Sequence, residues 1–183
     1  CIFREKKTLI SIHFGLRIDI QNSFFHNIGL ILTDSFSGCN NLLDIKVPDS
    51  VTVIGKGAFS DCKIITEFNI SKNVTEIGEN AFDYCSSLIS INVNDENLNY
   101  KSVDGVLYSK DEKVLIKYPR CKKDTNFKVP ITVEIIENAA FSWCDKLEKI
   151  SIQNKVQIIG DFAFFDCVNL RDIIIPNSVK KVG

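Results

Sequence analysis

The chain has 183 residues, 45% hydrophobic and 25% charged, with a formal net charge of −1 from 22 basic and 23 acidic side chains. So small a charge excludes the basic field that binding to a phosphate backbone requires, and the composition is too apolar for a disordered chain. No run of 18 apolar residues is present, so no segment spans a membrane. With no methionine at all, the chain is expected to be a processed product or fragment whose leader lies out of view.

In chain order, the first element is the strand 9–14, Leu-Ile-Ser-Ile-His-Phe, which mirrors 88–93, Leu-Ile-Ser-Ile-Asn-Val. Between Phe14 and Ile28 the spacing drifts, as in a bulged coil or a degenerate cap. From Phe36 onward a period of 23 residues takes over: Cys39, Cys62, Cys85, Cys144 and Cys167 follow one another at steps of 23, 23, 59 and 23. Phe36, Phe59, Phe82, Phe141 and Phe164 precede them by three residues. Leu42, Ile65, Leu88, Leu147 and Leu170 share another phase, and Val51, Val74, Val133, Val156 and Val179 a further one. Gly55, Gly78, Gly160 and Gly183 occupy a turn phase in which Glu137 is the exception.

Within one unit, 42–47 alternates as a short strand with one face inward. Pro48, Pro130 and Pro176 end that strand, because proline cannot donate to a ladder. A second extended segment, 51–54, re-enters the core, and Ala58-Phe59-x-x-Cys62 is read as one turn of helix. A unit this short cannot bury its own apolar face, so successive units must stack. The expected fold is an α/β repeat solenoid of the leucine-rich repeat kind. It has a parallel sheet on the concave face and short strands and helical turns on the back. The strands 42–47, 66–70, 88–93, 127–129, 149–152 and 172–175 are expected to form one parallel sheet.

The step of 59 holds an insertion. Residues 106–118 read as a β-hairpin, two apolar runs around Ser109-Lys110-Asp111-Glu112. The array is expected to resume at Phe127, with 88–93 and 127–129 as neighbouring strands and the hairpin replacing the back of the coil between them. Residues 1–183 are thus one domain: irregular N-terminal repeats at 1–41, regular repeats at 42–93, the hairpin insertion at 94–126, and regular repeats at 127–183. The last unit stops in mid-repeat, which makes the chain an expected piece of a longer array.

The words Ile45-Lys46-Val47-Pro48-Asp49-Ser50-Val51 and Ile54-Gly55-Lys56-Gly57-Ala58-Phe59-Ser60-Asp61-Cys62, with their copies, resemble the leucine-rich repeats of BspA-like proteins, also called the Treponema pallidum type. The segment Asp104-Gly105-Val106-Leu107-Tyr108 through Tyr118-Pro119 is similar to a hairpin found inside many such arrays. The resemblance implies a non-enzymatic surface or secreted protein of a bacterium or parasitic protist, an adhesin or surface antigen. Its implied partner is a host extracellular protein or a glycan. It supplies no catalytic residue. An intracellular scaffold for protein–protein contacts is the alternative.

Candidate chemistry is sparse. Cysteines in equivalent positions of adjacent coils stand side by side about 4.8 Å apart, whereas bridged Cβ atoms prefer about 3.8 Å, so the in-phase cysteines are read as buried free thiols. Cys1 and Cys121 fall outside that phase. Cys121, in an Arg-Cys-Lys-Lys context that favours thiolate, is the expected reactive thiol. No C-x-x-C spacing suggests zinc, the glycines form no phosphate loop, and no cofactor is implied. His13 and His26 have no nucleophile motif beside them. The acids Asp95, Glu96, Asp111 and Glu112 belong to solvated turns. Trp143 is either an exposed contact or a partly buried outer-face aromatic. Asn69 and Asn73 head glycosylation triplets, a weak pointer to secretion. The candidate interaction strip is two columns of outward strand positions, Asp44, Glu67, Ser90, Asn126, Lys149 and Asp172, then Lys46, Asn69, Asn92, Lys128, Ser151 and Ile174. Tyr108 and Tyr118, on the protruding hairpin, are candidate insertion contacts.

Overall fold

A computed structural model describes the backbone of residues 2–5, 8–11, 29–43 and 45–183, and the side chains of 29–43 and 45–183. His13, His26 and Asp44 lie outside the described residues. Strands β1 (Ile2–Glu5) and β2 (Thr8–Ser11) pair antiparallel as a separate two-stranded sheet. Of the early strand expected at 9–14, residues 9–11 lie in β2, which among the described residues pairs with β1; residues 12–14 lie outside the described residues.

Residues 29–43 and 45–183 form a β-solenoid. Its back face carries two-residue strands that repeat in register. Leu30–Ile31 (β3), Val53–Ile54 (β4) and Glu76–Ile77 (β6) pair in parallel, Ile31 against Ile54 and Ile54 against Ile77. The opposite face, the one expected to be concave, carries Glu67–Ile70 (β5) and Ser90–Val93 (β7), again parallel, with Lys46 bridging to Asn69. After the insertion both faces resume. The concave strands are Asn126–Lys128 (β11), Lys149–Ser151 (β13) and Asp172–Ile174 (β15). The back strands are Ile135–Ile136 (β12), Ile158–Ile159 (β14) and Lys181–Val182 (β16).

Between the two stacks lies an antiparallel meander, Tyr100–Val103 (β8), Val106–Ser109 (β9) and Val114–Lys117 (β10). The hairpin at Ser109–Glu112 is present. A second one turns on Asp104 and Gly105, whose φ values of 49° and 74° suit a two-residue turn between twisted strands.

Three expectations are corrected here. First, the concave strands do not form one sheet. Ile91 donates its N–H to the Gly105 carbonyl at 2.8 Å, so the hairpin tip occupies the edge that would otherwise meet β11, and β7 and β11 belong to separate sheets. Second, β10 serves as the back strand of a coil of its own, pairing in parallel with β12. Third, the α component is absent: the described residues contain no helix. Each Phe–Cys turn holds two left-handed residues, such as Gly57 and Asp61, Asn80 and Tyr84, or Ala139 and Trp143. An L-residue helix cannot pass through such positions. The turn amides bond to the next coil instead, Phe36 N–H to Ala58 O at 2.8 Å and Phe141 N–H to Ala163 O at 2.8 Å.

The core divides with the sheets. Phe36, Phe59 and Phe82 stack nearly parallel at 5.0 and 6.2 Å in the first core, and Tyr118, Phe141 and Phe164 stack at 5.3 Å per step in the second. Strand β9 is the wall between them. Its alternation sends Leu107 into the first core and Val106 and Tyr108 into the second.

Candidate interaction surfaces

The two outward columns are aligned by the strand registers. Asn126, Lys149 and Asp172 are cross-strand partners, as are Lys128, Ser151 and Ile174; Glu67 faces Ser90 and Asn69 faces Asn92. Lys46, Glu67, Asn69, Asn126, Lys128, Lys149 and Ile174 are exposed, while Ser90, Asn92, Ser151 and Asp172 are half-buried. Some of the strip is paired with itself. Lys149 Nζ lies 2.5 Å from an Asp172 carboxylate oxygen, and Asn92 donates to Asn69 Oδ1 at 3.2 Å. Gly105 sits against Ser90, where an added Cβ would lie 2.8 Å from the serine Cβ, so the hairpin tip interrupts the strip between its two halves.

Tyr108 and Tyr118 are not surface contacts. They are 1% and 0% exposed, and burial pushes both phenols upward from their ordinary pKa. The reason lies in the register. Tyr118 stands 23 residues before Phe141 and Cys121 stands 23 before Cys144, so both belong to the repeat. The array resumes at Tyr118, not at Phe127. Tyr118 fills the Phe column, and its hydroxyl bonds to Asp124 Oδ2 at 2.9 Å.

Two further polar residues sit in apolar phases. Asn97 is 23 residues after Val74 and fully buried. Its amide nitrogen donates to the carbonyls of Ser71 and Val74 at 2.9 and 3.0 Å, and its carbonyl accepts from the N–H groups of Asn99 and Tyr100 at 2.8 Å. Lys117 is 23 residues before Ala140. Its buried ammonium donates to Asp83 Oδ1 at 2.5 Å, Ala139 O at 2.7 Å and Ser142 Oγ at 3.1 Å. All three donor positions of the ammonium are engaged.

The coil containing Lys117 is short. Ile136 precedes Phe141 by five residues, but its cross-strand partner Leu115 precedes Tyr118 by three. The missing residues leave a notch in the edge of the solenoid where the Phe–Cys turns line up. Tyr84 thereby meets Trp143 across the gap at 5.6 Å, and Trp143 meets Phe165 at 5.5 Å, with Phe162 beyond it. The Arg120 guanidinium covers Trp143 at 5.2 Å. Trp143 is therefore a half-buried member of an exposed aromatic row, and the single-residue reading of it missed its neighbours.

The cysteine column has a defined role. Each thiol donates to the carbonyl of the aromatic residue 26 positions earlier, Cys62 to Phe36 at 3.1 Å, Cys85 to Phe59 at 3.2 Å and Cys167 to Phe141 at 3.0 Å. Burial raises the Cys62 thiol to about 12 and that of Cys85 to about 11, and pushes Cys144 and Cys167 upward as well. Two expectations change. Cys167 is half-buried rather than buried, and Cys39, an in-phase cysteine, is disulfide-bonded.

Residues 3–104 and 117–183 match the BspA type leucine-rich repeat region in six copies, and the internal gap between the two matched stretches, 105–116, falls in the hairpin. No curated protein matches. Among solved structures, the pneumococcal vaccine antigen PcpA is 32% identical over 80% of this chain and 37% of its own, with a TM-score of 0.77. A leucine-rich repeat protein from Eubacterium ventriosum is 28% identical over 83% of this chain and 53% of its own, with a TM-score of 0.65. A leucine-rich cell surface protein from Faecalibacterium prausnitzii is 26% identical over 82% of this chain and 52% of its own, with a TM-score of 0.57. The chain thus spans little more than a third of the first of these and about half of the other two. On its repeat, its phases and these matches, the chain belongs to the BspA-type leucine-rich repeat family.

Proposed function

We propose that this chain is a non-enzymatic recognition segment of a cell-surface or secreted protein, and that its concave strip contacts a partner protein, a host extracellular protein being the implied class. The observation that carries the reading is the register: exposed polar side chains from successive coils stand in two straight columns on paired strands. A backbone already ordered by the ladders positions these contacts without a loop-ordering cost at binding. Similarity to a vaccine antigen and to a cell surface protein supports a surface location. The disulfide at Cys39 favours an oxidising compartment over the cytoplasmic alternative. Lys46 and Lys128 are exposed strip residues outside the ion pairs of the described residues. The test is surface plasmon resonance of the chain against extracellular matrix and serum proteins, repeated with Lys46→Glu/Lys128→Glu. The expected result is a bound protein whose affinity falls about tenfold or more in the variant. A partner indifferent to both reversals would contradict the strip as the contact surface.

A further inference from the structure

The notch in the turn edge is a cleft of about 520 Å³, within the range of small-ligand sites. Its aromatic wall is Tyr84, Trp143, Phe162 and Phe165. Phe162 is 71% exposed and Tyr84 and Phe165 are about half exposed, an arrangement that stacking within the fold does not require. The backbone underlines the point. Tyr84, Trp143 and Phe162 have φ of 59°, 64° and 56°, whereas other coils place Gly38, Gly57, Asp61 or Asn80 in the equivalent left-handed positions. A bulky aromatic there is strained where glycine, asparagine or aspartate is not, and such strain concentrates at functional sites.

The rest of the lining selects among ligands. Lys56 is paired with Glu79 at 2.8 Å and Asp83 with Lys117 at 2.5 Å, so two of the three charged lining residues are already neutralised. Asp34, whose charge Lys56 also feels, makes no ion pair within the described residues and remains as an acceptor, so the lining carries no unbalanced positive charge to hold an anion. A cationic ligand would compete with Arg120, which already lies over the Trp143 ring. Thr33, Ser60 and Asn80 line the cleft, and their side chains make no hydrogen bond within the described residues. The cleft therefore offers aromatic faces, neutral hydroxyl and amide groups, and one carboxylate. That is the complement of a ring with an apolar C–H face and a hydroxylated edge. C–H groups carry slight positive charge and suit the negative face of an aromatic ring, and a hydroxyl donor makes a charge-assisted bond to a carboxylate.

We infer that this cleft binds a neutral saccharide, its apolar face packed against the exposed rings of Tyr84, Phe162 and Phe165 beside Trp143, and hydrogen-bonded by Asp34, Ser60 and Asn80. The site lies on the turn edge, away from the concave strip, and does not depend on the protein-binding reading.

Trp143 is the single tryptophan of the chain, so intrinsic tryptophan fluorescence reports on this cleft alone. The experiment is titration with tetrasaccharides of glucose, N-acetylglucosamine, mannose and galactose, with a heparin tetrasaccharide and a lysine-rich peptide as charged comparisons. At least one neutral tetrasaccharide is expected to shift the emission saturably below about 10 mM, a weak but specific affinity. Tyr84→Gly and Phe162→Gly are expected to weaken that binding about tenfold or more while leaving thermal stability equal or higher, because glycine relieves the left-handed strain. Silence of every neutral sugar, response only to the charged probes, or unchanged binding in both glycine variants would overturn the inference. Lys46→Glu/Lys128→Glu leaves the sugar response intact, so failure of the strip reading and failure of this one are distinguishable.

Discussion

Gly78 sets how closely two coils approach. A Cβ there would lie 2.3 Å from the Lys56 amide nitrogen, and one at Gly55 would lie 2.5 Å from that of Thr33, distances that carbon and backbone atoms do not share. The glycine phase is thus a packing requirement. Its exception has the same explanation: Glu137 faces the short coil at Leu115, which lacks the residues that would crowd it. Gly78→Ala is expected to cost about 3 kcal/mol in chemical denaturation, the upper end of ordinary overpacking; a cost under about 0.5 kcal/mol, the size of an ordinary surface change, would mean the coils are looser than described. Thiol chemistry belongs to the same scale. Native-state labelling read by mass spectrometry should modify Cys121 and Cys167, both half-buried, well before Cys62, Cys85 and Cys144. Early modification of Cys62, which is 0% exposed with its thiol pushed to about 12, would contradict the cysteine column as described. The residue phases were legible because burial and close approach constrain identity at every turn. The aromatic row was not, because Tyr84, Trp143, Phe162 and Phe165 sit in variable positions and meet only through the notch.

The insertion shows what period reading alone loses. Its hairpin at 106–118 was legible from two apolar runs around a polar turn. The second hairpin has a signal too, Asp104-Gly105 between Val103 and Val106, which is weaker than the first because the strand before it, Tyr100–Val103, is mostly polar. The resumption was misplaced because Tyr118 replaces phenylalanine, Lys117 replaces alanine and Val114 stands where other units carry the glycine. Asn97 and Lys117, polar residues in buried apolar phases, frame the excursion: the first satisfies the carbonyls left where the chain departs, and the second ties the returning coil to Asp83. Removing one member of a buried ion pair strands the other, at about 3–5 kcal/mol, whereas removing both is far less costly. Asp83→Ala should therefore be strongly destabilising, and Asp83→Ala combined with Lys117→Ala, which restores the usual residue of that phase, should recover much of the loss. Additive losses in the double variant would show that the pair is not coupled across the notch.

At the scale of the molecule, the chain is two short solenoid stacks sharing a wall. The period of 23 gave the parallel strands and the stacked cores, because each unit exposes its apolar face until the next covers it. It could not reveal that the concave sheet is divided, since the division follows from the reach of a hairpin tip rather than from any in-phase residue. The short coil at 115–118 leaves the notch and its aromatic cleft, whereas the gap in the strip follows from the division. Backbone nuclear Overhauser contacts across the strands test it most directly. Ile150 should show interstrand contacts to both Phe127 and Ile173, its neighbours in an intact sheet. Ile91 should show them to Phe68 on one side and to Gly105 on the other. Contacts joining Ile91 to Phe127 as adjacent parallel strands, with none to Gly105, would contradict the account.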